Sequence, residues 1–474
     1  MFIEGTAFPQ ITWRRSYGAF GLEKGYSVEE TADGHIVVCG STGSFGAGGG
    51  DAYLLYLDED GELQWSRTFG GPGVDEAREL RVLPDGGVIL AGLTNSEGNG
   101  GYDGWLVRTD PDGVILWERK YGGPEWDIFN SVDLLGDGFL VAGCTYGTPS
   151  GESDIWVMAL DADGEPLWSF VEGGVGADMA NAISAMADGG AAIAATGAGE
   201  NESSRSMLLR LDSSGSLNWA RSFDTSEQDE AHGIVATSDG GIVICGVTAG
   251  YTGFPSLHIV KVNGHDGDLL WEQVYPQEGR HEGRAVRERS DGKLVVAGLT
   301  EAFGTGGVDA YIMLTDEQGV FENGTTFGSI EYDDAVSVAV CANGGFLLAG
   351  MTTGPQGPGP SAVLVVRTDQ QGFTVSQVIT PWFDPLSVDV SRNFVPVITI
   401  FPNPTASRSF IHLKTTAQIV WGDLFVIDQL GRVSGSLSLD PSGRGQLPDL
   451  APGTYLLLLS DADGRSARLR LVVE

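Results

Sequence analysis

Between Ala77 and Leu83 apolar and polar residues mix over seven positions, the chain turns at Asp85-Gly86-Gly87, and Val88 to Leu93 follows as a continuous apolar run. A glycine-rich loop from Asn95 to Gly101 leads to a third run, Trp105 to Thr109, and the turn Asp110-Pro111-Asp112-Gly113 opens a fourth that carries Trp117 and Tyr121. Runs this short, bounded by Asp-Gly turns, predict antiparallel hairpins, and a 3.6-residue helical period is nowhere sustained.

This four-run pattern recurs. Trp13, Trp65, Trp117, Trp168, Trp219 and Trp271 stand 51 or 52 residues apart, and Asn323 continues the series. The turns at Asp33, Asp85, Asp137, Asp188, Asp239, Asp291 and Asn343, each followed by glycine, keep the same step, as do Asp58, Asp110, Asp161, Asp212, Asn263, Asp316 and Asp369. Seven copies of a four-stranded unit, none with a core of its own, predict an all-β, seven-bladed β-propeller over residues 11–379. One Trp-type strand is surplus. Ile11 to Tyr17 keeps Trp13 and Tyr17-Gly18, whereas Phe373 to Ile379 has Ser376 in the Trp position, so the amino-terminal copy is expected to complete the last blade.

Composition narrows the setting. Of 474 residues 71 are glycine, as a turn-rich fold requires, and 27 basic against 64 acidic residues leave a net charge of −37. Such a field disfavours nucleic acid and anionic membrane surfaces as partners. No run approaches the length of a transmembrane segment. Cys39, Cys144, Cys245 and Cys341 lie far apart in sequence, each in or beside an apolar run, and read as buried small hydrophobes rather than disulfide or metal ligands.

The pattern from Leu57 through Trp65, Gly70-Gly71 and Asp75 to Thr94 resembles the repeats of secreted bacterial and archaeal propeller proteins. Its Asp-x-x-Gly-x-x-x-Trp element is similar to the tryptophan-docking motif of quinoprotein propellers, which implies that Trp65 and its equivalents wedge between blades. Quinoprotein enzymes commonly have eight blades and an adjacent cysteine pair, and the sequence reads as neither.

After the repeats, Pro381, Pro385 and Pro396 mark a linker over residues 380–397. Residues 398–474 then read as short strands, Ile411 to Lys414, Leu424 to Asp428, Ser436 to Leu439, Tyr455 to Ser460 and Ala467 to Val473, and predict a small Ig-like β-sandwich. Phe401-Pro402-Asn403-Pro404, the run Val426 to Arg432 with Asp428 and Gly431, and Leu450 to Tyr455 with Gly453 resemble the type A carboxy-terminal sorting domain of the type IX secretion system of Bacteroidetes and relatives. That resemblance implies the type IX machinery as partner and an extracellular or cell-surface destination. Such proteins carry a Sec signal peptide. Met1 to Gln10 has neither its basic nor its apolar stretch, so either the protein is cytoplasmic or, as the sorting-domain resemblance favours, the amino terminus is incomplete.

Candidate site residues follow from strand order, which gathers two sets of loops on one face. There stand Glu23, Asp75, Asp127, Asp178, Asp229, His281 and Asp333, ten residues before each Asp-Gly or Asn-Gly turn, and a second series with Asp51, Asp103, Asp154 and Asp309. They form either a ring for cations or a polyol, or caps that hold their own loops through backbone N–H groups, and recurrence in every unit favours caps. His232 and His281, with Arg280, Glu282 and Arg284, break the symmetry near the expected axial mouth; they form either a second candidate pocket or surface histidines without function, and the latter is favoured because spacing fixes no nucleophile or carboxylate pair. The Asp58, Asp110, Asp161 and Asp461 turns are similar to calcium loops without their later ligands, and turn chemistry is favoured. No catalytic set is fixed by spacing and no cofactor is expected. The leading expectation is an exported, non-enzymatic binding propeller, and the alternative is a secreted enzyme, polysaccharide-active or quinoprotein-like.

Overall fold

The computed structural model describes residues 11–374, apart from short loop stretches at 97, 99, 149–151, 199–202, 224–227, 250–253, 305 and 354–358, and, further on, 398–401, 410–415, 421–427, 433–437, 444–446, 450, 453–461 and 466–473. The chain divides into two compact units, Met1–Leu386 and Ser387–Glu474.

The first unit is a seven-bladed propeller of four-stranded antiparallel sheets, with no helix among the described residues. Blades 1 to 6 occupy residues 23–69, 75–121, 127–172, 179–223, 229–275 and 281–327. Blade 7 takes Ser337–Val340, Phe346–Thr352 and Ala362–Thr368, and its outermost strand is Trp13–Tyr17, which pairs antiparallel with Ala362–Thr368 from Trp13↔Arg367 to Tyr17↔Val363. The amino-terminal strand therefore closes the ring, as the surplus copy implies.

Within a blade the two middle strands are buried on both faces, so they read as unbroken apolar runs such as Val88–Thr94. Their side chains form cores between adjacent blades. Val38, Leu55 and Trp13 pack with Leu347 and Val365 across the closure, and Leu140, Ile155 and Val157 of blade 3 pack with Ile193 and Leu209 of blade 4. The four cysteines are free and buried among these residues.

The tryptophan series docks each blade onto the next. The Trp65 ring of blade 1 stacks on Tyr56 at 4.9 Å and lies against Gly113 of blade 2, where a methyl group would come within 2.8 Å of the indole. Gly113 has φ +72°, a backbone state that glycine adopts without strain, so one residue meets both the turn and the packing requirement. Trp168 and Trp219 donate to the carbonyls of Ser213 and His265 in the following blades, at 3.2 and 3.1 Å. Asn323 keeps the register with a polar substitute, its amide donating to Gln371 O at 2.8 Å.

The second unit contains two antiparallel sheets: Ile398–Phe401, Phe410–Thr415 and Arg444–Gln446 in one, and Val433–Leu437, Trp421–Ile427, Gly453–Asp461 and Ser466–Val473, in that spatial order, in the other. All five expected strands are present, with two short ones added. Pro402, Asn403, Pro404, Asp428, Gly431, Arg432 and the 380–397 linker lie outside the described residues, whereas Gly453 and Tyr455 open a strand, opposite Val473 and Leu471.

Candidate functional site

The recurring loop carboxylates sit inside the blades. Asp75 is fully buried at the start of the innermost strand of blade 2, and accepts hydrogen bonds from Gly71 N at 2.9 Å, Ser96 Oγ at 2.5 Å and Thr94 Oγ1. Asp127 accepts from Gly123 N at 2.7 Å, Asp178 from Gly174 N at 2.9 Å and Ala198 N at 3.1 Å, and Asp333 from Ser329 N at 2.6 Å. Glu23 does the same with Ala19 N at 3.2 Å, and Asp229 is equally buried. In the second series Asp51 accepts from Ala47 N and Gly48 N, both at 3.2 Å. These carboxylates tie loops to strands, and their chelating oxygens face N–H and O–H donors. The Asp58, Asp110 and Asp161 turns are closed likewise, each aspartate accepting from N–H groups two and four residues on.

His281 occupies the same capping position in blade 6. It is buried, its Nδ1 is 3.2 Å from Thr300 Oγ1, and the Tyr311 ring packs edge-on at 4.8 Å. Burial pushes its pKa down to about 4. His232 is elsewhere, three residues into its own strand, so the two histidines do not share a pocket.

Three residues past the capping position, the innermost strands of blades 1 to 6 each carry a β-bulge, and the extra residues are Tyr26, Arg78, Asn130, Asn181, His232 and Arg284. A bulge re-aims one side chain out of the sheet alternation. With Val336 of blade 7 these residues line a single cavity of ≈ 90 Å³ where all seven innermost strands converge. The next position holds Ser27, Ser131, Ala182, Gly233, Ala285 and Ser337, with Glu79 the exception, and these small residues are why the convergence leaves space.

Hydrogen bonds lock this ring blade to blade. Arg78 donates to Asn130 Oδ1 at 2.6 Å, Asn130 to Ala180 O at 2.8 Å, and Asn181 to Ala231 O at 2.7 Å. Further along the same strands, Arg81 meets Glu79 at 2.6 Å, Asp133 at 3.2 Å and Glu29 at 3.4 Å, joining blades 1, 2 and 3. Burial alone would lower the Arg81 pKa, but the three carboxylates outweigh it and hold the guanidinium charged. Arg287 of blade 6, 3.8 Å from Glu79, has its pKa lowered by burial and by the Arg81 charge. His232 is pushed down to about 3 by burial and by Arg284 and Arg280, so its imidazole is neutral at neutral pH. Its Nε2 lies 3.5 Å from Glu230 and makes no hydrogen bond.

Of the residues singled out from sequence, the structure brings His232 and Arg284 together on the axis and leaves the Asp series and His281 in the blades. Tyr26, Arg78, Asn130 and Asn181 went unnoticed. Their signal is in the sequence: one register position of a regular repeat that carries five different residue types over seven copies.

Residues 50–244 match the family described as outer membrane protein assembly factor BamB, and residues 31–63 match a domain of unknown function (DUF5122) described as a beta-propeller. The regulatory protein FlaEY of Caulobacter vibrioides is 28% identical over a stretch covering 31% of this chain and 18% of that protein, so the chain matches less than a fifth of this relative's length. Among solved structures, the Neurospora crassa Pan2 WD40 domain has a TM-score of 0.46 at 12% identity, covering 73% of this chain and 89% of its own. The quinohemoprotein alcohol dehydrogenase from Comamonas testosteroni has 0.40 at 12%, covering 78% and 77%. At these scores no chemistry is carried over. No helix among the described residues is long and apolar enough to cross a membrane. What the chain shares with known sequences is thus stretches of two β-propeller repeat families.

Proposed function

We propose that this chain is an exported, non-enzymatic binding propeller that recognises its ligand at the ring axis. One observation carries the reading: the blades repeat their turns in all seven copies and their carboxylate caps and docking tryptophans in six, yet on the axis they contribute Tyr26, Arg78, Asn130, Asn181, His232, Arg284 and Val336. Residues that hold a repeat together recur, whereas a single ligand needs a single, asymmetric set of partners. The axial groups are donors and acceptors with neutral His232 among them, which suits recognition. In this reading the carboxy-terminal unit is a type IX sorting module that brings the ring to the cell surface or medium.

A glycan array with a parallel metal screen, run on the full chain and on Asn181→Ala and His232→Ala variants, tests the binding half. Array ligands lost in both variants support it, and ligands retained by both refute the axial site. For the export half, residues 398–474 behind a Sec-exported reporter in a type IX-competent bacterium should reach the surface. Removal of Arg468 to Glu474 should leave the reporter in the periplasm.

A further inference from the structure

Four guanidinium groups, those of Arg78, Arg81, Arg284 and Arg287, converge on the axial cavity, against one lining carboxylate, Glu79. In a chain of net charge −37 the cavity wall is thus mostly basic, with Glu29, Glu76, Asp133 and Glu282 standing behind it as partners of the same arginines, and burying arginine side chains is costly unless an anion answers them. Arg81 is answered three times over within the protein. Arg78 and Arg284 have one carboxylate each, and the nearest to Arg287 is 3.8 Å away. Arg284 reaches Glu282 through one terminal nitrogen at 2.5 Å while its Nε is buried without a hydrogen bond. Arg287 donates to its neighbour's carbonyl, Val286 O, at 3.0 Å and stands 3.8 Å from Glu79. Arg78 holds Asn130 and Glu76, with its side chain still 28% exposed. Beside them the Nε2 of His232 is buried and unbonded.

We propose that this cavity binds the carboxylate of a small organic acid, clamped by Arg78, Arg284 and Arg287. The proposal rests on reading the axis as the recognition site and names the ligand class for it. A carboxylate fits on three grounds. Its planar pair of oxygens matches the guanidinium fork. A single charge is the most this clamp can take, since Glu76 and Glu282 already pair with Arg78 and Arg284 and only Arg287 has its nearest carboxylate as far off as 3.8 Å, so a dianion would meet repulsion. The space, ≈ 90 Å³ beside a rim of small side chains, takes a head group rather than a polymer. Two sources present this group: a free acid, or a uronic acid residue of a glycan whose hydroxyls would meet Glu76, Glu282 and the axial serines.

Calorimetric titration of the full chain with D-glucuronate, acetate, glucose and sulfate tests this. Glucuronate should bind and glucose, its uncharged analogue, should not. Acetate should displace glucuronate from the wild-type protein, which requires no variant. Acetate as tight as glucuronate assigns a free acid, and a clear preference for glucuronate assigns the uronic residue. Arg284→Gln and Arg287→Gln should each weaken binding roughly tenfold to a hundredfold, the loss expected for a hydrogen bond to a charged group, and Arg284→Lys should restore part of it. Sulfate binding as tightly as carboxylate, or glucuronate binding that is absent or indifferent to the Arg284 and Arg287 substitutions, overturns the proposal. The axial reading fails separately, when array ligands survive Asn181→Ala and His232→Ala.

Discussion

The indole N–H of Trp13 donates to the backbone carbonyl of Glu59 at 2.9 Å, and so the outermost strand of blade 7 is fastened to the last turn of blade 1. Tyr17 adds a second tie, its hydroxyl donating to Gly61 O at 2.6 Å. Because the Trp13 ring is 97% buried, Trp13→Ala removes a large apolar surface and leaves a cavity, a change that typically costs about 3–5 kcal/mol. The melting temperature should fall by several degrees in differential scanning calorimetry, with axial ligand binding retained at low temperature. Trp117→Ala should act in the same direction.

Two glycine substitutions separate backbone strain from packing. Gly34 has φ +85° and open space for 4 Å around where a methyl group would stand, whereas at Gly61, with φ +77°, a methyl group would stand 2.7 Å from the Trp13 ring. Gly34→Ala should therefore show only the left-handed backbone penalty, about 1 kcal/mol. Gly61→Ala should exceed it clearly in denaturant titration. Equal losses would mean that the docking contact has little weight.

Asp75→Ala strips acceptors from Gly71 N–H, Ser96 O–H and Thr94 O–H at a fully buried position. The unmatched donors should destabilise the protein by about 1–3 kcal/mol. The loop from Asn95 to Gly101 should become the first site of limited proteolysis, which mass spectrometry of the fragments will show. Calcium titrations of wild type and variant should coincide.

Acid stability should depend on two histidines. His232 and His281 have folded pKa values near 3 and 4, below the ordinary value of 6.5, so below pH 6.5 the unfolded chain binds protons that the folded chain refuses. The stability they contribute is complete above pH 6.5 and is lost as the pH falls toward 4. Each contributes a slope of up to about 1.4 kcal/mol per pH unit in that window. The melting temperature of the His232→Asn/His281→Asn double variant should fall less steeply between pH 6.5 and 4 than that of wild type. Identical slopes would refute the assignment.

The ring was legible because its determinants are local and repeated. Asp110 to Trp117 specifies a turn, a strand and a docking residue in eight positions, and the same happens in almost every copy. Even closure could be read, since Trp13 kept the pattern that Ser376 lost. The axial cavity was not legible because it depends on bulges. Inserting Arg78 between Ala77 and Glu79 without a cross-strand partner turns it toward the axis, and simple alternation along the strand gives no warning. Asp75 and its equivalents misdirected attention for the opposite reason: charged residues on loops at one face suggest exposure, yet turn geometry draws them inward to satisfy backbone N–H groups.

The pairing of Tyr17 with Val363 joins segments about 350 residues apart, a loop whose closure entropy no nearby contact offsets. A chain made from its amino terminus must hold Trp13–Tyr17 without its native partner until Ala362–Thr368 has been synthesised, so ring closure can come only after the strands of every blade have been made. Until that step Ala362–Thr368 is a bare, apolar sheet edge, able to recruit the amino-terminal strand of a second molecule, and domain-swapped rings are the characteristic misassembly of this architecture.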